Sequence, residues 1–345
     1  MLADRTTQRA AHRYLRRLRS AALPARLTAA VEDFKSEMVA VDKQLIAGAA
    51  GETEAQQRVS QACTLVIDDF RLHIECDHAR VDELAAYMFR ETSPYFHLSR
   101  TLDRCYAKPR GYAGDYLTIE MMYNDKAGGD RRLGSYVDRW ALDTPAARAV
   151  KNRRRLLADI ITAVAAENQN HRVQVTSVAS GPARELFDAL RSHHTRELRA
   201  TCVDSDNDAL AYTREIANRT RVVDRFCFVQ ANAVKVALGR ASMQIPDQDL
   251  VYTVGLIDYL PDKLVVALLD WIHDRLRPGG TAIVGNFDAA NPSKALMDYL
   301  LEWKLIHRTA QHLVALFAQS KFGDAPVEVR AESTGVNLFA FATRD

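Results

Sequence analysis

The sequence predicts an α/β fold in its second half and an all-helical arrangement in its first half. Three observations predict this division. Apolar residues recur every three or four positions from about residue 5 to residue 165, which is typical of amphipathic helices. From Val173 onward, short apolar runs alternate with helical segments, which is typical of a parallel sheet covered on both faces. Residues 333–336 alone separate the last two predicted strands, so these strands are expected to form an antiparallel hairpin.

The elements of the helical half are marked by breakers. Gly48 to Gly51 predicts one break between helices, and Thr92-Ser93-Pro94 predicts another. Thr144-Pro145 is typical of a helix N-terminus, because proline fits the first helical position. The helix that starts there is expected to end near Glu167 and to lead into the first strand.

Seven strands and four helices are predicted for the α/β half. The strands span 173–179, 198–203, 226–230, 249–254, 280–286, 326–332 and 337–343. The helices fall near 183–193, 206–219, 261–276 and 292–318. Five parallel strands followed by an antiparallel hairpin result.

Length and composition indicate two domains and exclude several classes of protein. The 345 residues suffice for a helical domain at 1–150, serving as a lid or in dimerisation, and an α/β domain at 151–345. A net charge of +2 does not indicate a nucleic-acid partner, and no apolar run approaches a membrane span. The N-terminus lacks a secretory apolar core and the five cysteines form no C-x-x-C pair, so we expect a cytoplasmic protein with reduced thiols.

Two basic runs and one group of potential metal ligands are given structural interpretations. The runs Arg13 to Arg19 and Arg148 to Arg155 alternate with apolar residues at helical spacing, so each is interpreted as a solvated helix face. His73, Cys76 and His78 lie on a helical stretch without persuasive ligand spacing. No metal site is therefore predicted.

The segment from Val173 to Leu190 contains the most informative turn. A buried strand ends at Ala179, turns sharply through Ser180-Gly181-Pro182 and continues as a helix. Such a turn surrounds a concave floor with backbone N–H groups, where a nucleotide or its ribose can approach closely. Neither G-x-G-x-x-G nor the P-loop motif is present. The sequence therefore lacks the main evidence for a dinucleotide site or a P-loop site.

The second and third strands end in residues that suit the ribose hydroxyls and the adenine base of a nucleoside. Asp204, followed by Ser205, lies 23 residues beyond Gly181, at the interval expected of an acid that binds ribose hydroxyls. The third strand is followed by Asn232 and Ala233, which can face an adenine edge. These three strand ends suit S-adenosylmethionine. A calcium loop starting at Asp204 is disfavoured, because Ala209 replaces the required glycine.

The fourth and fifth strands are expected to end where a transferable methyl group would lie. Gly255 closes the fourth strand and is followed by Asp258 and Tyr259, while Asn286 at the end of the fifth is expected to line the pocket mouth. Asp258 is either a polar lip residue or an N-terminal acid of the next helix, and both interpretations stay open.

A loop ahead of the sheet, within Cys105 to Tyr123, combines glycine, proline, tyrosine and charge. Loops dense in aromatic and charged residues usually contact a ligand. The alternative is that glycine and proline shape a turn while the tyrosines pack between domains. The residues concerned are Arg110, Tyr112, Asp115, Tyr116 and Glu120.

The sequence motifs resemble a known enzyme class. The segments SVASGPARE, CVDSD, QANAV, GLIDYL and LRPGG, in this order, resemble a class I S-adenosylmethionine-dependent methyltransferase with a Rossmann-like sheet. KPRGYAGDYLTIEMMY and EWKLIHRT resemble a narrower bacterial family that includes the hydroxy fatty acid methyl ester synthases of quorum sensing, over roughly residues 90 to 345. The resemblance implies S-adenosylmethionine as cofactor and a loop covering cofactor and substrate. Ser180 stands where many methyltransferases carry glycine, so Glu185 or the N-terminal loop is expected to contact the methionine ammonium. The expected cofactor-binding residues are Arg110, Ala179, Ser180, Gly181, Glu185, Asp204, Ser205, Asn232, Ala233 and Gly255.

The expected acceptor is a small molecule of specialised metabolism or signalling. Asp115, Glu120 and Asp258 are the candidate bases. Together with the substrate-binding candidates Tyr112, Tyr116, Tyr259 and Asn286, they favour N-methylation of an amino or guanidino compound such as free arginine. Lys108 and Arg110 support the alternative, carboxyl O-methylation of a hydroxy fatty acid. A non-catalytic module that binds the cofactor is a third hypothesis, and a homodimer through the N-terminal helices stays open. A nucleic-acid substrate is disfavoured, because no base-flipping motif is present.

Overall fold

The computed structural model describes residues 22–168 and 170–345, so the predicted basic face from Arg13 to Arg19 lies outside the described residues. Internal contacts divide the chain into two units. The first unit contains the segments up to residue 107, 126–142 and 294–303. The second contains 108–125, 143–293 and 304–345.

The first unit is built from helices. They are α1 Ala25–Ile46, α2 Glu52–Cys76, α3 Val81–Phe96, α4 Arg100–Ala107 and α6 Arg131–Asp143, with a π-helical turn at Leu296–Leu300. Apolar residues of α1 at three- and four-residue spacing, such as Leu27, Val31 and Phe34, are buried. The predicted break at Thr92-Ser93-Pro94 is wrong, because α3 continues through Pro94 to Phe96. Pro94 cannot donate to the carbonyl four residues earlier, and the helix ends two residues after it.

The second unit contains the sheet and its covering helices. The strands are β1 Gln174–Val178, β2 Arg199–Asp204, β3 Phe226–Gln230, β4 Gln248–Val254, β5 Leu276–Phe287, β6 Val327–Ala331 and β7 Asn337–Thr343. The helices are α5 Tyr116–Asn124, α7 Pro145–Glu167, α8 Arg184–Ala189, α9 Asn207–Arg219, α10 Ala233–Ala237, α11 Asp262–Arg275 and α12 Ala310–Ala318.

The strands form one mixed sheet in the order β3-β2-β1-β4-β5-β7-β6. The first five are mutually parallel, and β7 pairs antiparallel with both β5 and β6. Chain order reverses between β1 and β4, where Val178 lies opposite Thr253. In open α/β sheets, ligands bind outside the carboxyl ends of the strands at such a reversal. This places the candidate site at the turns that follow β1, β2 and β4.

The sheet is covered on both faces. Leu157 and Ile161 of α7 pack in one apolar cluster with residues of β1, β2 and β4. Leu268 and Ile272 of α11 lie in the other cluster, together with residues of α12. Burial on both faces explains why the parallel strands appear in the sequence as continuous apolar runs.

Two predicted boundaries differ from the structure. The prediction placed one domain boundary at 150/151, whereas 108–125 and α7 group with the sheet and 294–303 groups with the helices. Periodicity does not reveal such crossings, because they depend on long-range contacts. The predicted helix at 292–318 is also wrong: it is interrupted after the π-helical turn, Glu302 adopts a left-handed φ of +48°, and Arg308 forms a parallel bridge to Asp288.

Within the described part of the chain, no helix has both the length and the hydropathy required to cross a bilayer.

Candidate functional site

The turn after β1 is unusually shaped. Ala179, Gly181 and Ala183 have left-handed φ angles of +54°, +51° and +46°. This region costs an L-residue roughly 1–2 kcal/mol, so the surrounding contacts must hold both alanines there. The Ser180 N–H donates to the carbonyl of Val203, and the Ala183 N–H donates to the carbonyl of Ser180. The space that a Cβ of Gly181 would enter is open, which leaves room for a ligand against the backbone.

Asp204 joins this turn to the end of β2. Its Oδ2 accepts a hydrogen bond from the Gly181 N–H at 2.8 Å, and its Oδ1 accepts one from the Asp206 N–H at 2.9 Å. Burial raises the pKa of the carboxyl group, and the backbone donors oppose that shift. A carboxylate offers about four acceptor positions, so capacity for ribose hydroxyls remains. Ser205 is exposed beside it.

The end of β3 lies beside Asp204. The Ala231 N–H donates to the Asp204 carbonyl at 2.9 Å. Asn232 is exposed and caps α10, since its Oδ1 accepts a hydrogen bond from the Lys235 N–H at 3.0 Å. Ala233 is buried. The amide nitrogen of Asn232 is therefore not needed for the cap and can face a ligand.

The loop that precedes α5 is attached to the helix that follows Asp204. The Arg110 guanidinium donates to both carboxylate oxygens of Asp206 at 2.9 Å and to Asp208 at 2.8 Å. It also lies 5.0 Å from the centre of the Tyr116 ring. The Tyr112 hydroxyl donates to Asp206 at 3.3 Å, although the side chain is 42% exposed. The structure thus brings Arg110, Tyr112 and Tyr116 to the predicted ribose edge, with Arg110 held by protein carboxylates.

Two predicted bases have structural partners. Asp115 is fully buried and caps α5: its Oδ1 accepts hydrogen bonds from the N–H groups of Leu117 and Thr118, and its Oδ2 accepts one from the Thr118 hydroxyl. Glu120 is buried and lies 3.3 Å from the Arg184 guanidinium. These contacts leave Asp115 a capping role and weaken both assignments as a base.

Asp258 occupies the turn after β4. It is 2% exposed, and its Oδ1 accepts a hydrogen bond from the Phe287 N–H at 2.7 Å, which ties the ends of β4 and β5 together. Burial raises the pKa of Asp258 to about 6, against the opposing effects of the Phe287 N–H and the Arg153 charge. Neighbouring Tyr259 is 41% exposed. Asp258 combines a structural contact with a pKa suited to proton transfer near neutral pH.

Asn286 does not line a pocket mouth. Its side chain is fully buried, and its Nδ2 donates to the carbonyls of Phe287 and Ile306 at 2.8 and 2.9 Å. Its Oδ1 accepts a hydrogen bond from Arg308 at 2.8 Å. Since both amide protons are used internally, this contact network replaces the predicted substrate contact.

Arg308, which sequence reasoning missed, connects the turns after β4 and β5. Its buried guanidinium donates to the carbonyls of Ile257 and Leu260, to Asn286 and to the carboxylate of Asp262. No local pattern reveals this role, because all four partners are distant in sequence.

Glu185 and Arg153 lie beneath the turns after β1 and β4. Glu185 is buried, and its Oε1 accepts a hydrogen bond from the Tyr252 hydroxyl at 2.7 Å; burial raises its pKa. Arg153 is 7% exposed, so the interpretation of Arg148 to Arg155 as a solvated face is wrong at this position. Its position was visible in the sequence, since Ala149, Arg153 and Leu157 recur every four residues on the buried stripe of α7.

Gly255 adopts a left-handed φ of +79°, and a Cβ there would lie 3.3 Å from a terminal nitrogen of Arg153. Glycine fits this position for two reasons. It adopts the left-handed conformation without strain, and it leaves space for the close approach of the guanidinium. The turns after β1, β2 and β4 place the Asp204 carboxylate, the open space at Gly181 and the Arg153 guanidinium at the carboxyl end of the sheet, where open α/β sheets have their ligand crevice.

Comparison with family models identifies the family of the chain. Residues 110–296, more than half of the chain, match the family model Methyltransf_20, described as "Putative methyltransferase". No curated protein sequence matches.

Several solved structures are similar. A crystal structure described as a possible exported protein from Bordetella parapertussis has a TM-score of 0.55 and 16% identity, covering 67% of this chain and 79% of that one. A putative O-methyltransferase from Nostoc punctiforme has a TM-score of 0.46 and 15% identity over 74% and 72% of the two chains. Magnesium protoporphyrin IX methyltransferase from Synechocystis, solved with bound S-adenosylhomocysteine, has a TM-score of 0.47 and 8% identity over 71% and 99%. At 16% identity, the similarity to the Bordetella parapertussis structure supports the fold alone.

Proposed function

Because this chain belongs to the methyltransferase family that its residues 110–296 match, we propose that it transfers the methyl group of S-adenosylmethionine to a small molecule. The observation that carries the proposal is the carboxylate of Asp204. It lies at the end of β2 and is bonded to Gly181 in the open turn after β1. A half-buried acid next to an open, N–H-lined turn suits an adenosine ribose.

The residues present fit this cofactor. Asp204 would accept hydrogen bonds from the ribose hydroxyls, the backbone from Ala179 to Gly181 would lie against the methionine and ribose, and Asn232 would face the adenine edge. When bound, the sulfonium supplies a methyl group activated for in-line displacement. The protein must therefore hold the acceptor atom close to that methyl group and on its axis.

Asp258 supports an acceptor that must lose a proton. A group with a pKa of about 6 is mostly ionised at neutral pH and can accept a proton from an ammonium or hydroxyl group. A substrate carboxylate is already deprotonated at neutral pH, so it can accept a methyl group without a base. We therefore favour N-methylation of a small amino or guanidino compound, with Tyr112 and Tyr259 as exposed aromatic contacts near the crevice.

Carboxyl O-methylation of a hydroxy fatty acid remains the second proposal. It needs a cation to bind the substrate carboxylate, and Lys108 and Arg110 are the candidates from the sequence. In the structure, Asp206 and Asp208 hold that guanidinium, which weakens this route.

Calorimetric titration of the purified protein with S-adenosylhomocysteine tests the first step. Micromolar binding is expected, and absence of binding would refute the proposal. Transfer of labelled methyl from S-adenosylmethionine is then measured with L-arginine and with 3-hydroxydecanoate. Label in arginine supports the favoured acceptor class, and base-labile label in the acid supports the second. Tight cofactor binding without transfer to any small molecule would instead favour the non-catalytic module.

A further inference from the structure

Arg153 is a buried cation without an ion pair. Its side chain is 7% exposed, and in the part of the chain that the structure describes no carboxylate oxygen lies within 4.0 Å of its guanidinium. The next residue, Arg154, is bound by both carboxylate oxygens of Asp188 at 2.5 and 2.9 Å. A buried guanidinium that contacts no carboxylate directly gains less electrostatic compensation for its desolvation than a paired one.

The groups nearest Arg153 do not supply this anion in direct contact. The Tyr123 hydroxyl is close enough for the Arg153 charge to act on its pKa. Glu185 and Asp258 are close enough for their charges to act on it, but Glu185 accepts a hydrogen bond from Tyr252 and Asp258 accepts one from the Phe287 N–H. The guanidinium therefore retains donors for a further acceptor.

The guanidinium lies near the point of the sheet where open α/β folds bind their ligands. One terminal nitrogen is 3.3 Å from the position of a Gly255 Cβ, directly after β4. Chain order reverses between β4 and its neighbour β1, and the turn after β1 carries Glu185 at the start of the following helix. Opposite charges therefore lie close together beneath the reversal point.

We propose that Arg153 is the counter-cation of the α-carboxylate in the methionine part of the cofactor. Glu185 would then lie on the side of the α-ammonium group of the same methionine part. This inference rests on the proposed function. A planar guanidinium binds a carboxylate through two parallel N–H···O bonds. An amino-acid zwitterion carries one negative and one positive charge, which match Arg153 and Glu185 respectively.

Two ligands that differ only in the amino-acid part test the inference. S-adenosylhomocysteine contains the zwitterion, whereas 5′-methylthioadenosine keeps the nucleoside and thioether and lacks it. Dissociation constants of both are measured calorimetrically for the wild type, Arg153→Met, Arg153→Lys and the matched control Arg154→Met. Circular dichroism and thermal unfolding establish that each variant is folded.

Arg153→Met is expected to weaken S-adenosylhomocysteine binding about 30-fold and to change methylthioadenosine binding less than about twofold. Arg153→Lys should recover part of the loss, and Arg154→Met should bind both ligands as the wild type does. Equal weakening of both ligands by Arg153→Met would show a structural role and overturn the inference, as would unchanged S-adenosylhomocysteine binding. A wild type that binds neither ligand would overturn the proposed function itself.

Discussion

The Asp204 carboxylate and the Gly181 N–H are joined by a 2.8 Å hydrogen bond across the carboxyl ends of two adjacent parallel strands. One acid thus fixes the left-handed turn after β1 and still presents acceptor positions outward. The shape of the turn after β1 therefore depends on this side chain.

Asp204→Asn is expected to weaken S-adenosylhomocysteine binding at least about 30-fold. The amide keeps the volume of the side chain but replaces one acceptor oxygen with a donor. That donor faces either a backbone N–H or a ribose hydroxyl. Titration calorimetry measures the effect, and the exposed Asp224→Asn is the control. Binding within threefold of the wild type would remove Asp204 from the cofactor site.

Arg308→Met is expected to destabilise the fold by about 3–5 kcal/mol, because it leaves several buried acceptors without a donor. The orphaned groups include the carbonyls of Ile257 and Leu260 and the oxygen of Asn286. Urea unfolding gives the free energy. Arg330→Met, which removes an exposed pair with Glu328, should change it by less than about 0.5 kcal/mol. Equal effects of the two substitutions would contradict the role of Arg308 in connecting the turns after β4 and β5.

Asp258 is expected to make stability depend on pH. Its pKa is raised from 3.8 to about 6 in the folded state, so the folded protein binds this proton more tightly than the unfolded chain. The stabilisation is fully present below about pH 4 and is lost as pH rises through about 6, a change of about 3 kcal/mol.

Urea unfolding of the wild type and Asp258→Asn between pH 4 and pH 7 isolates this contribution. Asparagine keeps an oxygen for the Phe287 N–H but does not titrate. The wild type should lose stability relative to the variant as pH rises, and parallel curves would show that Asp258 has an ordinary pKa. If Asp258 is the base, the ascending limb of methyl transfer near pH 6 should also disappear in the variant.

Arg110→Gln is expected to release the loop before α5. The substitution removes the charge that holds Asp206 and Asp208 but keeps a polar side chain. Amide exchange between residues 109 and 114 should accelerate about tenfold, and dissociation of S-adenosylhomocysteine should become faster. Arg132→Gln, which breaks an exposed pair with Asp42, is the control. Unchanged exchange in 109–114 would show that other contacts hold the loop.

The sequence by itself determined the strands and the turns at their ends, although it misplaced the helix predicted at 292–318 and the break at Thr92-Ser93-Pro94. Seven strands correspond to seven predicted ones, and Asp204 and Gly181 were identified at the ends of β2 and β1. This was possible because burial on both faces imposes continuous apolar runs, and because sharp turns require small residues.

Only the tertiary structure decided which charged and polar side chains are available for chemistry. Asp115, Asn286 and Arg110 were candidates by residue type, yet a helix cap, a buried network and an ion pair occupy them. The four-residue spacing on α7 marks Arg153 as part of the buried face, but only the structure places its guanidinium near Gly255. The physical reason is that hydrogen-bond partners and burial depend on residues far apart in sequence, whereas periodicity reports only the face of each local element.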